Sequence, residues 1–334
     1  MRRPHVILQN KHTLLSGVMA LGVMIATGWT APATAADDWP SKPVTIVVGF
    51  SAGGPTDVVA RILAERLTEK FKQSFLVDNR AGASGGVAAT LVKRAAPDGY
   101  TLMFGSSSTL SIIPLLQKTP YDSIHDFTPI SLVASYPYFL VVPAASPMKS
   151  LDELLAQGRK PSAQLSYASA GSGAVNHLAG EWFKRDAGIN AVHVPYKGDS
   201  AAVTDLVAGR IDFAFLAGAV ALPQVKAGKL RILASASARS GLGGEGVPTL
   251  GDRFKGFAAE PWNGLMAPAG LPQPIVTKLN AAVVEIMARK DVVERLASLE
   301  QYPMTGTPQQ FTNHIKSQTE RWASVIKASN IKID

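Results

Sequence analysis

The chain has 334 residues, 46% of them hydrophobic and 17% charged, with no cysteine and a formal charge of +8. That length suits two domains better than one, and the composition excludes a disordered chain; the lack of cysteine excludes disulfides, thiolate metal sites and cysteine nucleophiles. No run of five or more Lys or Arg occurs, so the clustered basic face of a nucleic-acid binder is excluded as well.

Residues 1–35 read as an export signal. Arg2, Arg3, His5 and Lys11 form a basic start, residues 14–28 carry no charge, and Ala33-Thr34-Ala35 has the small-x-small pattern of a cleavage site. About 15 apolar residues fall short of the ~20 that span a bilayer, so cleavage near Ala35 and release outside the cytoplasm are expected.

The pattern that follows alternates short apolar runs with one-sided helical stretches. Val44 to Val48 has the continuous apolar character of a buried strand. Val58, Val59, Ile62, Leu63, Leu67 and Phe71 repeat at helical spacing over 57–71. A second strand is expected at 75–77, a helix at 86–95 and a third strand at 101–104. The alternation restarts further on, with strands at 165–168, 191–194, 211–215 and 230–234 and helices at about 174–186, 199–208 and 218–227. Repeated strand-helix-strand units imply parallel sheets covered on both faces, so the fold class is α/β. Extended segments at 130–142 and 262–267 flank the second series, as a two-stranded hinge requires. Helices at about 272–289, 291–299 and 308–328 end the chain. The implied division is 36–138 for the first part of domain I, 139–260 for domain II, and 261–334 for the return of the chain to domain I.

Glycine and serine gather at the strand-to-helix turns. Phe50-Ser51-Ala52-Gly53-Gly54-Pro55-Thr56-Asp57 joins the first strand to the first helix, and Gly105-Ser106-Ser107-Ser108-Thr109 follows the third strand. Ser169-Ala170-Gly171-Ser172-Gly173 opens the helix carrying Asn176 and His177, and Tyr196-Lys197-Gly198-Asp199-Ser200 opens another. Ligands of open α/β sheets bind outside the carboxyl ends of the strands, where the free N–H groups of a helix start favour an anion. Glycine lets a ligand approach the backbone and hydroxyls orient it. Only Arg80 and Lys197 bring a cation into or beside these loops. An anion is therefore expected to be met by main-chain N–H groups, hydroxyls and water.

Catalytic patterns fare worse. Gly82-Ala83-Ser84-Gly85-Gly86 matches the G-x-S-x-G nucleophile elbow, but Ser84 comes seven residues after Val77, too far from a strand end. A secreted hydrolase using Ser84 is kept as the rival reading, with a ligand sensor lacking a transporter as another. Gly241-Leu242-Gly243-Gly244-Glu245-Gly246 matches G-x-G-x-x-G, yet Val247-Pro248-Thr249 stands where a helix must begin. No Walker sequence, H-E-x-x-H or other metal spacing occurs, so neither metal nor cofactor is expected. Asp57, in the first helical turn, is read chiefly as a loop organiser. His177 and Asp212 are read as either ligand contacts or structural supports.

Taken in order, these clusters resemble a known family. Trp39-Pro40, Gly53-Gly54-Pro55-Thr56-Asp57, Asn79-Arg80-Ala81-Gly82 and Pro97-Asp98-Gly99-Tyr100 are followed by Gly171-Ser172-Gly173 with His177, Tyr196-Lys197-Gly198 and Gly209-Arg210-Ile211-Asp212. Val247-Pro248-Thr249, Trp262-Asn263-Gly264-Leu265 and Ala267-Pro268-Ala269-Gly270 complete the series. From about Trp39 to the last helices this is similar to the Bug family, the extracytoplasmic receptors of tripartite tricarboxylate transporters. The resemblance implies a two-domain periplasmic binding protein type II fold with two crossing strands and a ligand in the cleft. It implies a binding function without catalysis, a small carboxylated ligand, delivery to membrane transporter subunits and a monomeric receptor. Carried over, Ala52, Gly53, Gly54, Thr56 and Asp57 with Ser106, Ser107 and Ser108 would line the first wall. Ala170, Gly171, Ser172, Gly173, His177, Tyr196 and Asp212 would line or support the second. Ala81 stands where the family usually has proline, and the serine run at 106–108 is richer than in many relatives.

Overall fold

The computed structural model describes residues 38–333; the expected export segment lies outside them. In chain order the first elements are β1 (Val44–Val48), α1 (Pro55–Phe71), β2 (Phe75–Asn79), α2 (Gly86–Lys93) and β3 (Thr101–Ser106). A wide helical turn at Ser108–Ile112 runs into the short α3 (Ile113–Leu116), and β4 (Phe127–Ser135) leads to β5 (Tyr138–Pro143). Then come α4 (Leu151–Gly158), β6 (Leu165–Ser169), α5 (Val175–Ala187), β7 (Ala191–Pro195), α6 (Asp199–Val207), β8 (Phe213–Ala217), α7 (Gly218–Lys226) and β9 (Leu230–Ser235). The short α8 (Leu250–Arg253), β10 (Trp262–Pro268), α9 (Gln273–Met287), α10 (Lys290–Ala297), β11 (Tyr302–Pro303) and α11 (Pro308–Ser329) complete it. Among the described residues no helix is long and apolar enough to cross a membrane.

The strands form two sheets, ordered β11-β4-β10-β3-β1-β2 and β7-β6-β8-β5-β9. Their topologies repeat each other although the sequence shows no repeat. In the first, β1 pairs in parallel with β2 and β3, and antiparallel β10 joins β3 to β4. In the second, β6 pairs in parallel with β7 and β8, and antiparallel β5 joins β8 to β9. Parallel strands linked through helices must be apolar on both faces, which is why β1 and β8 are almost wholly buried. Local chemistry sets the helix ends. Pro55 takes the first position of α1, where its missing N–H is no loss. Ser150 and Glu153 cap α4 reciprocally, as do Thr307 and Gln310 at α11.

Each sheet has its own core. Ile46, Leu63, Phe104 and Val283 lie in the first, and Tyr167, Phe183, Phe213 and Phe215 in the second. Burying a large apolar side chain is worth roughly 1.5–3 kcal/mol, so it is these sheets that hold the strand ends, and the loops on them, in place.

The extended segment expected at 130–142 is in fact two strands in different sheets. Tyr136 and Pro137 carry the chain across, and the return runs beside them: Tyr136 N–H donates to Pro261 O (3.1 Å) and Ala236 N–H to Tyr138 O (2.8 Å). The C-terminal helix serves both units. Phe311 and Ile315 pack in a cluster on the first sheet, whereas Trp322 joins the core of the second. Val283 and Ile286 of α9 and Val292 and Leu296 of α10 pack in the core of the first sheet.

Candidate functional site

The carboxyl ends of β1 and β3 face that of β6, and the loops leaving these strands meet. The loop after β1 is organised by Asp57. Its carboxylate accepts from Gly53 N–H (2.8 Å), Arg61 Nε (2.9 Å) and Asn79 Nδ2 (2.9 Å). Burial works against ionisation there, but the bonds from Arg61, Gly53 and Asn79 outweigh it and hold the carboxyl below its usual range. After β3, the serines do not continue as a loop but enter a helical turn, each with a partner. Ser106 Oγ lies 3.0 Å from Thr109 Oγ1, Ser107 Oγ accepts from Trp262 N–H (3.4 Å), and Ser108 Oγ accepts from Val175 N–H (3.1 Å) on the opposing wall.

The second wall is built on Asn176, which is fully buried. Its Oδ1 accepts from Ala170 N–H (3.0 Å), and its Nδ2 donates to Asp199 Oδ1 (2.8 Å) and Phe215 O (3.2 Å). Three elements are thereby tied at one point. His177 acts from behind the loop: its Nδ1 accepts from Gly173 N–H (3.1 Å), and its ring stacks on His193 with centroids 4.0 Å apart. Burial pushes His177 down to about 4; burial, and then the proximity of His177, pushes His193 down to about 3.

The walls touch. Ser51 N–H donates to Lys197 O (3.2 Å), Ser51 Oγ and Ser200 Oγ are 2.7 Å apart, Ser200 Oγ donates to Ala52 O (2.8 Å), and Ser84 Oγ donates to Ser172 O (2.7 Å). Enclosed between them is a cavity of about 20 Å³, room for about one water. Gly54, Pro55 and Thr56 from the start of α1, Ser106 to Ser108, Tyr136 and Tyr138 from the crossing strands, Ala170, Ala174 and Asp199 line it with Phe50 and Pro261. No Lys or Arg is among them. An outer pocket of about 220 Å³ adjoins it, sharing Phe50 and Ala170 and adding Ser84, Gly171, Ser172, Tyr196 and Lys197 among others.

Of the residues expected from sequence, Gly54, Thr56, Ser106, Ser107, Ser108 and Ala170 come together in the inner cavity, and Gly171, Ser172 and Tyr196 in the outer pocket. Ala52 and Gly53 sit at the seam, where Ser200 crosses. Asp57 and His177 support loops from behind. Gly173 packs on Ile113: a Cβ there would lie 2.4 Å from Ile113 Cδ1. Asp212 is elsewhere. It precedes β8, at the opposite end of the sheet, where its carboxylate accepts from Ser166 N–H (2.7 Å) and Ser166 Oγ (2.8 Å) and ties β8 to β6. Sequence reasoning missed Phe50, Pro55, Tyr136, Tyr138, Ala174, Asp199 and Pro261. The signal for the tyrosines was present in their position, since both stand in the extended segment expected to cross between the two units. Asp199 stood inside a quoted cluster from which only Tyr196 was carried forward.

The arrangement does not support chemistry at Ser84. Its hydroxyl proton is committed to Ser172 O, and among the described residues no histidine ring hydrogen-bonds to it. Nor does any group of three His, Asp or Glu among the described residues stand close enough to hold a metal. Arg80 pairs with Asp78 Oδ2 (2.8 Å) in solvent, outside both pockets.

Two α/β units meeting at a cleft, with main chain and hydroxyls at helix starts and no catalytic dyad among the described residues, define the class of solute-binding proteins. The comparisons place the chain within it. Residues 59–331 match the family described as the tripartite tricarboxylate transporter family receptor. Among solved structures, Rpa4515 of R. palustris with adipate superposes with a TM-score of 0.85 at 34% identity, covering 88% of this chain and 99% of that one. The periplasmic binding protein BugD gives 0.84 at 32%, covering 88% and 99%, and MatC of Rhodopseudomonas palustris with bound malate gives 0.79 at 32%, covering 86% and 100%. The chain belongs to this Bug and tripartite tricarboxylate receptor family, whose members are periplasmic solute-binding receptors and not enzymes.

Proposed function

We propose that this receptor captures a small carboxylated compound in the cavity between its two units and delivers it to membrane subunits of a tripartite transporter. The observation that carries the reading is the composition of the cavity: the start of α1, three consecutive serines and two tyrosines converge, with no Lys or Arg among the described residues that line it. With the two units parted enough to admit it, a carboxylate would be met there by main-chain N–H groups and hydroxyls, each helix start contributing ~0.3–2 kcal/mol. Adipate and malate bound to two structural neighbours support the ligand class. The reading further holds that 1–35 is removed on export and that the mature monomer works in the periplasm. Residues 36–138 with 261–334 and residues 139–260 would move as two domains, hinged where the chain crosses at Tyr136-Pro137 and returns at Pro261.

The test is a panel of small carboxylates screened by thermal melting of residues 36–334, followed by calorimetry and recovery of the compound. A saturable rise in melting temperature with the compound recovered intact supports the reading; ~100-fold excess over the dissociation constant stabilises by roughly 2.7 kcal/mol. Small-angle scattering of the same samples should show the radius of gyration fall with ligand. Conversion of the compound, or no binder in the panel, would overturn it.

A further inference from the structure

Among the described residues one charged side chain lines the inner cavity, and its sign is wrong for a carboxylate. Asp199 opens α6 and is 2% exposed. Its Oδ1 is satisfied by Asn176 Nδ2 at 2.8 Å. Its Oδ2 is buried and has no hydrogen-bond partner among the described residues. A buried carboxylate oxygen without a donor is costly, and here the cost falls at the wall of the cavity that the proposed function assigns to the ligand.

The groups that face Asp199 do not supply the missing partner. From the crossing strands come Tyr136 and Tyr138, both inside the cavity lining; burial raises both phenols, and the charge of Asp199 raises them further. Thr56 from α1 and Asn176 from α5 are neutral, and Ala217, at the end of β8, offers one N–H. Among the described residues no Lys, Arg or His lines the cavity. Burial lifts the Asp199 carboxyl to about 7, against the pull of Ala217 N–H and the Asn176 amide. A cation placed against Oδ2 is what would return it to the ionised form that those two donors, and the start of α6, favour.

Building on the carboxylate reading, we propose that the ligand also carries a positively charged nitrogen, which binds Asp199 Oδ2. The preferred class is then an amino-carboxylate zwitterion: the carboxylate meets the start of α1 and the serine hydroxyls, and the ammonium group meets Asp199 between the two tyrosines. A diacid without the amine would leave Oδ2 unpaired or force Asp199 to take up a proton.

Matched pairs test this on residues 36–334: succinate against L-aspartate, glutarate against L-glutamate, and adipate against 2-aminoadipate, by calorimetry at pH 7.5. The amino member should bind at least tenfold tighter in the pair whose length fits, and Asp199→Asn should collapse that ratio to within about threefold. Equal or tighter binding of the plain diacid overturns the proposal while leaving the carboxylate reading standing. So does a ratio that survives Asp199→Asn with the fold intact by circular dichroism. If neither member of any pair binds, the carboxylate reading itself fails for these acids, and the proposal built on it falls too. Should Asp199→Asn not fold, the wild-type ratios decide alone.

Discussion

The seam between Ser51 and Gly198 makes closure of the cleft testable by a single methyl group. Gly198 has φ +151, and a Cβ there would lie 2.2 Å from Ser51 Oγ, 3.1 Å from Ser51 N and 3.2 Å from Ser51 Cβ. Turning the Ser51 hydroxyl away would relieve the first contact, but it breaks the 2.7 Å bond to Ser200, worth roughly 0.5–1.5 kcal/mol. It leaves the contacts with Ser51 N and Cβ in place, so the walls must also separate by a few tenths of an ångström. That loosens the Ser51 N–H bond to Lys197 O, already 3.2 Å long. Closure of Gly198→Ala should therefore cost about 1–2 kcal/mol, a 5- to 30-fold loss of ligand affinity. The positive φ adds strain whether the cleft is open or closed, so Gly188→Ala serves as control: φ is +62 there and a Cβ would meet nothing within 4 Å. Calorimetric titration of both variants with the best carboxylate decides the matter. Affinity lost in Gly198→Ala and kept in Gly188→Ala is the expected result. Equal affinities in the two variants would refute closure onto Ser51.

Three further outcomes are expected. Ser84→Ala removes the 2.7 Å bond to Ser172 O and should weaken binding about 2- to 10-fold by calorimetry; unchanged affinity would mean that the contact does not accompany ligand capture. Arg80→Ala should change affinity by less than about twofold, because its guanidinium is spent on Asp78 in solvent; a loss beyond ~100-fold would show a side-chain clamp and sink main-chain recognition. Stability should fall as the pH drops from about 6.5 toward 4. His177 and His193 stay neutral in the folded chain down to about 4 and about 3, whereas in the unfolded chain they take up protons near 6.5. Each histidine should contribute a slope of up to about 1.4 kcal/mol per pH unit, read as the urea midpoint between pH 7 and pH 5 and reduced in His193→Gln; a midpoint flat over that range would contradict the buried stack.

What sequence alone determined here is what depends on neighbours a few residues apart. Buried strands such as β1 and β8 declare themselves by unbroken apolar runs, α1 by its one-sided spacing, and the turns by glycine and serine at strand ends. From these the α/β class, the alternation of elements and the loops of both walls could be read. Asp57 could be read as a loop organiser because its partner Gly53 lies four residues away. Tertiary structure decided everything set by partners distant in the chain. Ser51 meets Ser200 across 149 residues, Ser84 meets Ser172 across 88, and Val175 meets Ser108 across 67. Asp212 was carried to the second wall, as lining or support, through the family resemblance, but the parallel pairing of β6 and β8 puts their starts together at the far end of the sheet. Asp199 stood in a helix-opening cluster without a role of its own. Only the convergence of Asn176, Tyr136 and Tyr138 around it buries one oxygen against a bonded partner and the other against none, because hydrogen bonding and desolvation depend on distance in space, and chain order fixes that distance only for close neighbours.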